Sequence, residues 1–238
     1  MEMNFLTILT IGFILGIKHA LEPDHVIAVS TIASHSRKLW RSSLAGVFWG
    51  IGHTATLFVV GLFFLLFKNE IPRVWEMSLE MAVGIMLVYL GASSLLPYRK
   101  KKVHVHEHEH DGMPHKHFHS HQVYRTHNHD HKDVSYVRSM IIGLVHGMAG
   151  SAAMLILTMS TAQGVLQGAL YILIFGGGTV IGMLLFTTLI GIPFVLSVNK
   201  IGINRTLTRI TGLISTAYGI YYIYDLGVTE GLFRIWLQ

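Results

Sequence analysis

The chain of 238 residues contains no cysteine and little charge. Without cysteine there are no disulfides, iron–sulfur clusters or thiolate metal sites, so a metal must be held by imidazole, carboxylate, carbonyl, thioether or water. Charged residues make up 13% of the chain, against about 25% in a typical soluble domain. Together with a 51% hydrophobic content and a mean hydropathy of +0.50, this scarcity indicates a membrane protein.

Six hydrophobic stretches are long enough to cross a bilayer, which takes about 20 apolar residues. The first and the fifth are longer than one span requires and are interrupted, the first by polar residues 18–25 and the fifth by glycines at 176–178 and by Pro193. Such interruptions predict broken or tilted helices. The six stretches are residues 5–34, 42–67, 76–96, 137–160, 164–197 and 208–226.

Lys and Arg are distributed unevenly between the two ends of these stretches. The side that carries the N-terminus has 3 of these residues and the other side has 14, with Lys18 left uncounted inside the first stretch. The positive-inside rule then predicts that both termini are outside and that the central loop is cytoplasmic. No basic segment precedes the first stretch, which we expect to remain as a span rather than to be a cleaved signal peptide.

Short motifs recur along the chain at offsets of 126 to 128 residues. Residues 16–21 resemble 143–148, residues 48–52 resemble 174–178, and the glycine pair at 84 and 91 matches the pair at 212 and 219. Ordinary packing of small residues is the alternative explanation. A three-span repeat must be inverted in its second copy, a layout common in secondary transporters. We therefore predict an all-α integral membrane protein of two inverted three-helix repeats, residues 1–96 and 137–238, around a loop at 97–136.

The first stretch holds an unusual group of ionisable residues, His19, Glu22, Asp24 and His25, around Pro23. A charge at bilayer depth costs about 2.5–3.5 kcal/mol, so such residues face a cavity, a partner or an ion. On a straight helix the two histidines would be about 240° apart, but Pro23 is expected to break the helix and re-aim them. Imidazole and carboxylate suit Ni²⁺, Co²⁺ or Zn²⁺. The alternative is a structural kink with a buried His–Asp pair.

Two more histidines lie within the stretches. His53 follows Gly50-Ile51-Gly52 in the second stretch, and His146 has the position in the fourth that His19 has in the first. We expect His53 to be a metal ligand, and we regard His146 and Glu22 as further candidate ligands. A structural histidine with a single hydrogen bond is the alternative for each histidine. His35, at a cytoplasmic edge, is expected to have no specific role.

The motif His19-x4-Asp24-His25, followed by Gly52-His53-Thr54 in the next stretch, resembles the nickel/cobalt transporter family. The short six-span form with a histidine-rich loop is similar to the urease-associated branch of that family. The resemblance implies transport of Ni²⁺ or Co²⁺ in the bacterial inner membrane, with His19, Asp24, His25 and His53 as ligands. It also implies a cytoplasmic nickel chaperone or the urease maturation machinery as a partner. Larger relatives have Arg and Asp-Ala where this chain has Lys18 and Glu22-Pro23, and they carry acidic residues in two later spans.

The central loop contains eleven histidines interleaved with acidic and basic residues. Such tracts bind divalent metals with modest selectivity and are expected to be disordered, so we predict a metal buffer or sensor. A passive linker is the alternative. The stretch 106–110 matches the zinc-protease pattern H-E-x-x-H, but alternating His and Glu produce this match without a regular helix. The eleven residues are His104, His106, His108, His110, His115, His117, His119, His121, His127, His129 and His131.

The combined features predict a non-enzymatic secondary transporter that takes up Ni²⁺ or Co²⁺ and carries no prosthetic group. Efflux of the same ions, or a membrane metal sensor or urease accessory partner without transport activity, are the alternatives. No nucleotide-binding motif is present in the sequence. The basic residues lie at membrane edges rather than on one face, which argues against nucleic acid as a partner.

Overall fold

A computed structural model describes residues 5–67, 72–96, 104–110, 113–119, 135–149 and 164–237. For 104–110 and 113–119 it describes the backbone alone. The chain divides into two compact units, one made of Met1–Leu95 with Asp133–Gln238 and the other of Leu96–Lys132. Residues 150–160 of the predicted fourth stretch and Lys68 lie outside the described residues.

The described part of the first unit is helical throughout. Three of its helices are long and apolar enough to cross a membrane, and a bent helix pair at the N-terminus adds a fourth if it is counted as one span. The protein is therefore an all-helical, multi-pass membrane protein in this unit. The helices are α1 (Phe5–His19), α2 (Pro23–Ala33), α3 (Leu39–Phe67), α4 (Arg73–Leu95), α5 (Tyr136–Ala149), α6 (Val165–Leu196), α7 (Ile201–Tyr224), a π-helical turn (Asp225–Thr229) and α8 (Leu232–Trp236).

The predicted break in the first stretch is present. Helix α1 ends at His19, and α2 begins at Pro23 after Glu22 in an extended conformation, with a bend of 56° between the two axes. Proline is well suited to the first position of a helix, where its missing N–H has no helical partner to lose. The break therefore leaves His19 at one helix end and His25 in the first turn of the next helix.

The fifth stretch, for which a broken or a tilted helix was expected, is by contrast a single helix without a break. Helix α6 runs without a gap through the glycines at 176–178 and through Pro193. The neighbouring helices explain this continuity, because Gly176 packs against Thr54 of α3 and Gly178 against the carbonyl of Phe13 in α1. Pro193 lies in the last turn, where a local distortion does not divide the helix.

Small residues bring the helices of the first unit close together. Helices α3 and α6 are antiparallel, since Gly46 of α3 packs against Thr187 and Gly61 against Ile172. Helices α4 and α7 are also antiparallel, with glycines facing each other at two levels. The core of this helical unit includes Trp49, which is fully buried. This close packing holds α1, α3, α5 and α6 around the bend between α1 and α2.

Strand β1 (His104–His110) and strand β2 (Met113–His119) form an antiparallel pair in the second unit. The register pairs His104 with His119, His106 with His117, and His108 with His115. This paired backbone differs from the disorder expected for the loop. His121, His127, His129 and His131 lie outside the described residues.

Candidate metal centre

The bend between α1 and α2 brings two predicted site residues together. The backbone turns through the break with the amide of Glu22 donating to the carbonyl of His19 at 3.0 Å. As a result the imidazole rings of His19 and His25 lie 4.5 Å apart between centroids, edge to face. The side chain of His25 is 2% exposed and that of His19 is 14% exposed. Six residues apart in sequence, the two rings face the same point.

Helices α3 and α5 bring two further histidines to this point. His53 and His146 are both buried. The Nε2 atoms of His53 and His19 are 3.2 Å apart, and Nε2 of His146 donates to Oδ2 of Asp24 at 2.7 Å. Glycines make this approach possible, because Gly143 and Gly147 of α5 lie directly on the backbone of α3 beside the histidine.

The side chains form two overlapping groups with the spacing of metal ligands. His19, His25 and His53 make one group, and Asp24, His25 and His146 make the other, and in each group the ligand atoms lie within 4.8 Å of one another. We call these the three-histidine group and the aspartate group. Of the site residues predicted in the hydrophobic stretches, all except Glu22 and Pro23 belong to one group or both.

Three buried ring nitrogens in this cluster have no hydrogen-bond partner. They are Nε2 of His25, Nδ1 of His53 and Nδ1 of His146. An unpartnered polar atom in a protein interior costs about 1–3 kcal/mol. A divalent cation removes that cost for each nitrogen that coordinates it, and a set of imidazoles with one carboxylate is a donor set for Ni²⁺, Co²⁺ or Zn²⁺. The donor chemistry therefore fits a transition-metal ion.

Carboxylates contact three of the other ring nitrogens in the cluster, including that of His146 described above. Nδ1 of His19 pairs with Oε2 of Glu22 at 3.0 Å, and Nδ1 of His25 donates to Oδ1 of Asp24 at 2.9 Å. An N–H donated to a carboxylate fixes the tautomer, so that the opposite nitrogen presents its lone pair. Glu22 is half exposed and belongs to neither group. Its contact with His19 gives it an orienting position, which differs from the ligand position considered from the sequence.

Trp49 is part of the cluster, although nothing in the sequence marked it as a site residue. Its indole is fully buried, stacks on the ring of His53 at 5.3 Å, and meets the rings of His25 and His146 edge-on at 4.9 and 5.1 Å. The indole Nε1 has no hydrogen-bond partner. The sequence feature that could have drawn attention to Trp49 is its position four residues before His53, since residues i and i+4 share a helix face.

The remaining described histidines belong to neither ligand group. His35 is exposed, and its Nδ1 is 2.8 Å from the carbonyl oxygen of Thr31, one helical turn earlier. The loop histidines whose backbone is described belong to the second unit.

The fold and the centre define a multi-pass helical membrane protein with a buried histidine–aspartate cluster. Residues 76–221 match the family described as cytochrome C biogenesis protein transmembrane region. The chain is 57% identical to the urease accessory protein UreH of Bacillus sp. (strain TB-90), over 100% of this chain and 99% of that protein. It belongs to the UreH family, a branch of the nickel/cobalt transporter type, and it is not an enzyme.

More distant relatives cover most of the chain. It is 28% identical to the putative nickel/cobalt efflux system MJ1092 of Methanocaldococcus jannaschii, over 94% of each protein. It is 27% identical to the chloroplast protein FOR GROWTH AND FERTILITY 1 of Arabidopsis thaliana, over 92% of this chain and 59% of that protein. No solved structure matches the chain.

Proposed function

We propose that the protein carries Ni²⁺ or Co²⁺ into the cell across the bacterial inner membrane and that His19, Asp24, His25, His53 and His146 bind the ion on its way. The observation that carries this proposal is the pair of overlapping ligand groups at a broken helix, with three buried nitrogens left without partners. Polar groups at a break inside an apolar bundle are costly unless they serve an ion or a cavity.

The ligand set favours transport over permanent structural binding. Structural zinc sites usually hold the metal with closed sets of thiolates and imidazoles, whereas this chain has no cysteine. An ion that crosses a membrane must bind well enough to enter and weakly enough to leave. The name of the archaeal relative, a putative nickel/cobalt efflux system, supports the choice of nickel or cobalt as the ion.

We also infer a six-span architecture of two inverted repeats, residues 1–96 and 137–238. Helix contacts support it, because contacts in one half recur in the other at the offset of the sequence repeat. At an offset of 126 residues, the contact Gly50–Val180 corresponds to Gly176–Thr54, and Gly46–Thr187 corresponds to Gly61–Ile172. At an offset of 128 residues, Gly84–Gly219 corresponds to Gly212–Gly91. At offsets of 126 to 127 residues, Gly16–Phe175 corresponds to Gly143–Trp49.

The directions of these contacts support inversion of the second repeat. Helix α1 runs parallel to α6, α5 runs parallel to α3, and α3 runs antiparallel to α6. The first helices of the two repeats are therefore opposed. The repeats differ at the centre, since Thr179 stands at the place in α6 that corresponds to His53 in α3. The first repeat supplies four of the five proposed ligands, and the parts of the second repeat that the structure describes contain no second such group.

For the histidine-rich loop we propose a cytoplasmic position, with both termini outside, and a role as a metal buffer. The excess of Lys and Arg on that side supports the orientation. From the loop the ion would pass to a cytoplasmic nickel chaperone or to the urease maturation machinery. The support for this partner is the name of the bacterial relative, which is a urease accessory protein.

Efflux of the same ions is the second candidate function. The observation in its favour is that the archaeal relative, which is matched over 94% of both chains, is called an efflux system. A cytoplasmic metal-binding loop would in that case load the ion before export rather than capture it after import.

Cells that express the chain, loaded with radioactive nickel, test both candidates. Uptake requires accumulation that disappears in His19→Ala and persists in His35→Ala, a control at an exposed histidine outside the centre. Depletion of nickel that depends on His19 would reject uptake in favour of efflux. No effect of the protein on nickel content in either direction would contradict transport and leave the sensor or accessory role.

A further inference from the structure

His25 occupies the middle of the centre and belongs to both ligand groups. Its ring centroid is 4.5 Å from that of His19 and 4.3 Å from that of His146. The rings of His53 and His146, which belong to different groups, are farther apart, at 6.4 Å. The cluster is therefore elongated, with one group at each end and His25 between them.

The three-histidine group has the spacing of ligands around one ion. Bonds of about 2.1 Å from one ion to two nitrogens in tetrahedral or octahedral geometry place those nitrogens about 3.0–3.4 Å apart. The Nε2 atoms of His19 and His53 are 3.2 Å apart, and Nε2 of His25 is buried without a partner. This group accepts an ion with little movement of its side chains.

The aspartate group is closed by hydrogen bonds. The Asp24 carboxylate accepts from His146 at 2.7 Å and from His25 at 2.9 Å. The shorter contact lies below the spacing expected for two ligands of one ion, so Asp24 and His146 must separate slightly to admit it. The two groups therefore differ in how readily they can accept an ion, and His25 is the residue that they share.

We propose that a single ion occupies the two groups in turn and that His25 stays in its coordination shell during the transfer. This inference rests on the proposed transport function. The ion would exchange the ligands His19 and His53 for Asp24 and His146, or the reverse, without losing all protein ligands at any point. The indole of Trp49 packs against His25, His53 and His146, which include members of both groups. This packing would keep the three rings in place during the transfer.

Co²⁺ binding to the purified full-length protein in detergent tests the shared ligand, because Co²⁺ visible spectra report the ligand set. We expect one ion in the centre of each wild-type chain, counted above the ions that the double variant His53→Gln/His146→Gln still binds through its intact histidine-rich loop. His53→Gln and His146→Gln each keep one ion, held by the remaining group, with spectra that differ from each other. His25→Gln and the double variant His53→Gln/His146→Gln weaken binding at least 100-fold, and His35→Gln binds as wild type.

Two binding results would overturn the proposal. Equal loss of binding in His53→Gln and His146→Gln would indicate one site with five ligands. Two ions per wild-type chain above those that the double variant retains would indicate independent sites. The glutamine variants keep most of the side-chain volume. If either is not monodisperse, the corresponding asparagine variant replaces it in the same comparison.

Nickel flux into liposomes containing these variants tests whether both groups lie on the path of the ion. Because the ion must visit both groups, His53→Gln and His146→Gln should each slow the flux at least tenfold while they retain a bound ion. A wild-type rate in either variant would show that its group is not on the path and would overturn the proposal. Absence of flux in the wild type would instead reject the transport function, while the Co²⁺ spectra would still decide whether His25 is shared.

Discussion

Ring orientation in the centre depends on carboxylates next to the histidines. Asp24 holds His25 and His146, and Glu22 holds Nδ1 of His19, whose Nε2 faces His53. Loss of such an orienting partner typically lowers metal affinity about 10–100-fold. We therefore expect these carboxylates to contribute to metal affinity even where they are not themselves ligands.

Substitution Glu22→Gln should weaken Ni²⁺ binding about tenfold, at the low end of the usual range, because the side chain is half exposed and water replaces part of its contact. Titration calorimetry on the purified protein measures the change. Glu76→Gln, on α4 and in neither ligand group, is the control and should bind as wild type. An unchanged affinity in Glu22→Gln would contradict the orienting role.

At the residue scale, sequence reasoning predicted the members of the cluster but not their contacts. His19, Asp24, His25, His53 and His146 were recognisable because polar groups stand out in apolar stretches. The role of Glu22 was not, because its side chain is placed by a turn whose geometry only the folded chain defines. Trp49 was missed because a tryptophan in a hydrophobic helix gives no sign of which rings it contacts.

At the scale of helices, proline and glycine have effects that depend on their neighbours. Pro23 was correctly expected to break the first stretch, since it starts a new helix there. For the fifth stretch, with glycines at 176–178 and with Pro193, a broken or a tilted helix was expected, and the helix is not broken. Contacts with α1 and α3 stabilise α6 along its length, and such contacts lie far apart in sequence. Helix breaks are therefore predictable from the sequence where a residue acts on its own segment, and less predictable where contacts with other helices determine whether the helix continues.

The three adjacent glycines of α6 provide an internal comparison. A Cβ at Gly178 would clash with the carbonyl of Phe13 and one at Gly176 with the side chain of Thr54, whereas nothing lies within 4 Å of a Cβ at Gly177. Gly178→Ala should lower the thermal unfolding temperature the most, because backbone cannot move aside. Gly177→Ala should leave it unchanged or raise it, since alanine favours a helix by about 1 kcal/mol over glycine.

Thermal unfolding of the purified variants, followed by circular dichroism, measures this order. Gly176→Ala should fall between the other two, because the Thr54 side chain can rotate. Similar unfolding temperatures for Gly178→Ala and Gly177→Ala would contradict the close approach of α1 and α6.

At the scale of the whole molecule, orientation in the membrane follows from the Lys and Arg count. Because the chain has no cysteine, single cysteines can be introduced without a background. Ser120→Cys in the loop should be shielded from membrane-impermeant thiol reagents in intact cells, and Thr229→Cys near the C-terminus should react. Labelling of the loop cysteine from outside, with protection of the other, would show that the orientation is reversed.

The two units of the chain are expected to contribute differently to transport. All five proposed ligands lie in the helical unit, so deletion of residues 104–131 should leave nickel translocation possible at high concentration. Uptake at low nickel concentration should fall, because the local store of bound ion is lost. Uptake measured over a range of nickel concentrations checks this, and complete loss of transport in a folded deletion variant would place the loop on the path.

The class of protein could be predicted from the composition and from the length of the hydrophobic stretches, whereas the contacts between helices could not. The first unit is all-helical with several apolar helices, as the low charge indicated. The paired strands at His104–His110 and Met113–His119 were not expected, because the histidine-rich composition obscured their alternation.

The central claim is that the ion crosses the membrane through the centre that contains His25. Purified full-length protein in liposomes, with a nickel gradient imposed and internal nickel measured over time, tests it most directly. Wild type and His35→Ala should both carry nickel, and His25→Ala should show no flux above that of protein-free liposomes. Absence of flux in the wild type, or an equal rate in His25→Ala, would contradict the claim.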